Sequence, residues 1–116
     1  MKLDIFTTQY IVTALWSSTD DNGIPLDTDY STQDISTECL EQMKADCAKF
    51  QADNWNDIVD DPGRAGHDFW LTRNGHGAGF WDGDWPKEVG ERLTKASKAY
   101  GEVDLYVGDD GLIYCA

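Results

Sequence analysis

A chain of 116 residues makes one domain, and with five Trp, five Tyr and four Phe it can bury a modest core, about two thirds of its unfolded surface. Its formal charge of −13 therefore sits on a folded domain and not on a disordered, solvating tail. Such a field repels phosphate backbones and anionic membrane surfaces, which disfavours direct nucleic-acid or membrane binding, and it attracts cationic partners.

The charge is uneven. Residues 1–62 hold 13 Asp and Glu against 3 Lys, and residues 63–116 hold 9 against 6 Lys and Arg. Within that acidic, helical first half, Phe6 to Ser17 places apolar side chains at 6, 10, 11, 14 and 15, one face of a helix. Asp20 to Asp34 is a long irregular acidic connection with a turn at Asn22-Gly23. Ser36 then caps a second helix to about Asp53, because Cys39, Leu40, Met43, Cys47 and Phe50 form one stripe. Pro62-Gly63 ends what precedes it.

In residues 63–116 the pattern predicts two β-hairpins around one helix. The first pairs two short strands across Asn74-Gly75 within Asp68–Asp82. A helix follows from near Asp84, with Val89, Leu93, Ala96 and Tyr100 at helical spacing and Gly101 as its stop. Val103–Val107 and Leu112–Cys115 form the second hairpin around Asp109-Asp110-Gly111. The expected order is α-α-β-β-α-β-β, an α+β domain whose four-stranded, mostly antiparallel sheet is packed by helices.

Cys39, Cys47 and Cys115 are odd in number and lack a C-x-x-C spacing, and on one helix Cys39 and Cys47 are too far apart to bridge. Reduced, buried thiols in a cytoplasmic setting are expected, and no signal-peptide or membrane-spanning run is evident. The sequence leaves the oligomeric state open.

His67, Asp68, Arg73 and His76 are the candidates for chemistry. An imidazole titrates near neutrality, a carboxylate can orient it and a guanidinium can hold an oxyanion, the residue types of a small hydrolase or nuclease-like enzyme. On a strand, however, consecutive residues point to opposite faces, so a direct His67–Asp68 dyad is not expected. No His, Cys or Asp spacing matches a zinc site or an EF-hand, and no glycine run matches a phosphate loop, so neither a metal nor another cofactor is expected.

The carboxylates offer an alternative. Asp20, Asp21, Asp27, Asp29, Glu38, Glu41, Asp57, Asp60 and Asp61 can present a negative field to a basic partner, with the C-terminal hairpins as a rigid platform. Trp55 and Trp85, beside the second helix and at the start of the third, suit exposed binding anchors.

The run HDFWLTRNGHGAGFWD from His67 to Asp82, followed by Tyr100-Gly101 and by Val103 to Gly111, resembles a family of small bacteriophage-encoded proteins that carry no assigned activity. The resemblance covers about the last fifty residues and implies a phage origin and the cytoplasm of a bacterial host; it transfers no catalytic residue. By charge and size the chain is also similar to acidic phage inhibitors of host defence, the anti-restriction and anti-CRISPR proteins that occupy basic nucleic-acid sites. The expectation is thus a protein-binding inhibitor of a basic host protein or nucleoprotein complex, acting as a nucleic-acid mimic. The alternative is an enzyme on the His67/Asp68/Arg73/His76 hairpin.

Overall fold

A computed structural model describes residues 3–116. Helix α1 (Ile5–Ser17) starts at Asp4, whose carboxylate accepts the Thr7 amide at 2.7 Å. Its β-branched residues are outweighed by burial, because Phe6, Thr7, Tyr10, Ile11, Thr13, Ala14 and Leu15 all go inside. Two 3-10 turns, Leu26–Thr28 and Thr32–Asp34, interrupt the acidic connection. Helix α2 (Thr37–Ile58) is capped by Ser36 as expected, runs past Asp53, and breaks its helical geometry at Asn54.

The next segment overturns the predicted hairpin. Residues 68–73 are not a strand but the second half of helix α3 (Pro62–Arg73), capped by Asp61 with Pro62 in the first turn. Ala65, Gly66 and Asp68 to Arg73 are all buried, so the helix lacks the exposed stripe that gives a surface helix its periodicity. Gly75 to Trp85 is an irregular loop. Helix α4 (Lys87–Lys98) and the hairpin of β1 (Leu105–Val107) and β2 (Ile113–Cys115) follow near the expected positions. The described residues thus form four α-helices and one two-stranded antiparallel sheet, a mostly helical fold in place of the expected four-stranded α+β domain.

One aromatic core joins these elements. Phe50 of α2 and Phe69 of α3 stack at 4.2 Å, with Phe6, Tyr10, Phe80 and Tyr100 around them. Helices α1 and α3 touch backbone to backbone. A Cβ on Gly66 would lie 2.0 Å from the Phe6 carbonyl oxygen, so only glycine permits this approach.

The cysteines also depart from expectation. Cys39 at the start of α2 and Cys115 in β2 form a disulfide, with Cα atoms 5.3 Å apart, while Cys47 stays a free buried thiol whose pKa burial pushes well up. Pairing of residues so distant in sequence follows from the hairpin docking on α2, which spacing alone does not reveal. No helix among the described residues is long and apolar enough to cross a membrane.

Candidate functional site

The four proposed catalytic residues do not converge. Because they stand on a helix, His67 and Asp68 do pair, contrary to the strand argument: His67 Nδ1 lies 2.9 Å from Asp68 Oδ1. The Asp68 side chain is 2% exposed, and its second oxygen accepts the Trp85 indole N–H at 2.7 Å. With Nδ1 turned to Asp68, Nε2 is the ring nitrogen left over. The imidazole packs near the Trp16 ring and borders an open cleft of about 370 Å³ with Ile5, Gln9, Asp61, Gly63 and Arg64. Arg64, however, is engaged by Asp84 at 2.9 Å and Asp61 at 3.6 Å.

Arg73 is a structural residue. It is buried and donates to Asp46 at 2.9 Å, the Tyr10 hydroxyl at 3.0 Å and the carbonyls of Gly101 and Tyr100 at 2.9 and 3.1 Å. Burial alone would lower its pKa, yet Tyr10 and Asp46 hold it above its ordinary value. These bonds fasten the ends of α3 and α4 to α1 and α2. His76, beyond the end of α3, borders a different cleft with Asn74, Glu102 and Asp104. Trp85 is half-buried and tied to Asp68, so it is not the exposed anchor expected; Trp55 is 46% exposed and remains available as one.

The acidic residues are redistributed by the fold. Asp57 is held by a two-pronged contact with Arg92 at 2.7 and 3.0 Å, which keeps its carboxyl below the usual range. Asp61 caps α3 and neighbours Arg64, and Glu41 pairs with Lys44 at 3.4 Å. Asp60 is exposed nearby and has no ion-pair partner among the described residues. Among the described residues, Asp20, Asp21, Asp27, Asp29 and Glu38 form no ion pair.

These last five belong to a larger group. Residues 18–38 and 101–116 together contain ten carboxylates and not one Lys or Arg, whereas the rest of the chain sets twelve against nine. The fold places the two segments side by side. The Ser36 amide donates to the Ile113 carbonyl at 2.8 Å, Ile35 bridges Ile113, and the Cys39–Cys115 bond adjoins both. Thr19 to Asn22 and Tyr30 face Leu105 to Val107 across a cleft of about 460 Å³. The C-terminal hairpin is therefore part of the acidic surface, through Glu102, Asp104, Asp109 and Asp110, and not merely its platform. The missing cations were visible in the sequence; the adjacency of the two segments was not.

Among the described residues, no group of three or more His, Cys, Asp or Glu is arranged to hold a metal ion. Comparison with protein-family models, with curated proteins and with solved structures finds no match.

Proposed function

We propose that this chain acts by protein–protein binding, as an acidic phage-encoded inhibitor that occupies a basic surface of a host defence or other nucleic-acid-handling complex. The observation that carries the proposal is the acidic end: ten carboxylates without a cation on two segments that lie together. Concentrating charge at one end raises the local field well above what the same charge spread over the surface gives, and so accelerates encounter with a basic partner. Asp20, Asp21, Asp27, Asp29 and Glu38 keep their place in the interface, joined by Asp104, Asp109 and Asp110. Asp57 and Asp61, each beside an arginine, contribute less.

The setting that goes with this reading is the cytoplasm of a bacterial host. Disulfides are rare there, so Cys39 and Cys115 would stand as thiols in that compartment and the hairpin would rely on Ser36 and the core.

The test is capture from a bacterial lysate at low and high salt. Basic nucleic-acid-binding proteins are expected to be retained and released by salt. Asp20→Lys, Asp21→Lys and Asp104→Lys together should slow association about tenfold, while equal reversal of Asp57, Asp60 and Asp61 changes it far less. Capture indifferent to which set is reversed removes the proposal.

The His67–Asp68 pair favours a second reading, an enzyme using an oriented imidazole as general base. With Arg73 in the core and His76 in another cleft, that enzyme is reduced to the cleft beside α1. His67→Ala should abolish turnover of such an enzyme and leave capture of a basic partner unchanged.

A further inference from the structure

Strand β1 has one edge paired and one edge free. Asp104 and Ala116 exchange amide-to-carbonyl bonds at 3.1 and 2.8 Å, Gly108 donates to Leu112 at 2.8 Å, and Tyr106 stands opposite Tyr114. In an antiparallel ladder the residues between, Leu105 and Val107, direct their N–H and C=O groups away from β2. The other strand confirms the alternation, because Ile113, opposite Val107, turns its carbonyl outward to the Ser36 amide. The far side of β2 is thus covered, while the far side of β1 opens on the cleft of about 460 Å³ beneath Thr19 to Asn22. That cleft shares Thr19 and Leu105 with the one bordered by Asn74, His76 and Glu102.

We propose that this groove receives an extended cationic peptide segment of the partner as an added strand, backbone to backbone with Leu105 and Val107, its Lys or Arg side chains meeting Asp20, Asp21 and Asp104. An open edge seeks a strand, and the sign of the rim selects which. A second copy of this chain is a poor occupant, since it would bring another acidic end against the first. The inference rests on the capture reading and adds to it the shape of what is captured.

The experiment uses fluorescence anisotropy with the intact protein and short labelled peptides. One alternates Lys and Val, which favours an extended strand; the other has the same number of Lys interleaved with Gly. The Lys/Val peptide is expected to bind about tenfold tighter, because each net backbone hydrogen bond adds a small increment to affinity. N-methylation of its alternate residues should weaken binding about tenfold in one parity and leave it unchanged in the other. On the protein, Val107→Pro deletes an outward donor without touching the ladder, and should weaken the Lys/Val peptide alone, its fold checked by circular dichroism. Equal binding of both peptides, with both N-methyl parities alike, overturns the inference and leaves capture by charge standing. Absence of binding by either cationic peptide removes both.

Discussion

The helical body and the acidic end of this protein are stabilised by different means. In the body, α1 and α3 approach so closely that a methyl group has no room, and the buried Arg73 guanidinium and Asp68 carboxylate are both held by hydrogen bonds. At the acidic end, an irregular connection and a short hairpin present like charges to each other; Ile35 and Ser36 tie the two together at Ile113, while Leu26 and Leu105 in the core, the Val103 amide on Asn74 and the Cys39–Cys115 disulfide hold them to the body. The body spends its side chains on packing; the acidic end leaves them facing water. A surface meant for capture has to be of the second kind, because charge already paired inside the molecule is not available to a partner.

Five variants probe that contrast. Replacing Cys39 and Cys115 by Ser frees a loop with a sequence separation of 76 and should cost about 4 kcal/mol of stability in chemical denaturation under oxidising conditions. Loss of the same size in wild type on adding a reductant would confirm that the effect is the cross-link. Gly66→Ala drives a methyl into the Phe6 carbonyl and should lower stability by about 3 kcal/mol, whereas Gly23→Ala, on the acidic loop, meets no neighbour within 4 Å and should cost about 1 kcal/mol, from its φ of +78° alone. Equal losses at the two glycines would erase the distinction between the regions.

Trp85→Phe keeps the ring against Phe80 but strips one donor from the buried Asp68, an expected loss of about 2 kcal/mol in thermal unfolding. The smallest effect concerns Asp4. Burial pushes its pKa up, but hydrogen bonds from the Thr7 amide and side chain and from Gln51 outweigh this and hold it below the ordinary value. A depressed carboxylate contributes above its unfolded pKa of about 4 and loses that contribution as pH falls through the folded value. Asp4→Ala should therefore cost about 1 kcal/mol at neutral pH, with the difference from wild type closing in acid, as read from melts across that range.

Much of this was legible residue by residue. Helix α2 followed from the Ser36 cap and the stripe of Cys39, Met43, Cys47 and Phe50, and the last hairpin from Asp109-Asp110-Gly111 between two apolar runs. Helix α3 was missed for a physical reason. A helix buried on almost every side has no periodicity to read, and its apolar run Phe69-Trp70-Leu71 looks like a strand. The signal that could have found it was Asp61-Pro62, a helix start that also served as a stop for α2. From that one error followed the wrong sheet and the wrong geometry for His67 and Asp68. The disulfide and the assembly of the acidic end were beyond local patterns, since both depend on where the C-terminal hairpin docks.

The break in α2 has its own consequence. At Asn54 the backbone leaves helical geometry, with φ −126° and ψ 16°, and the side-chain amide donates to the Phe50 carbonyl at 2.9 Å. Beyond it, the short segment ending at Ile58 carries the one buried apolar anchor of that stretch and the Asp57 contact to α4. Amide exchange should therefore divide α2 in two, with slow protons up to Phe50 and a segment past Asn54 that opens on its own and travels with α4.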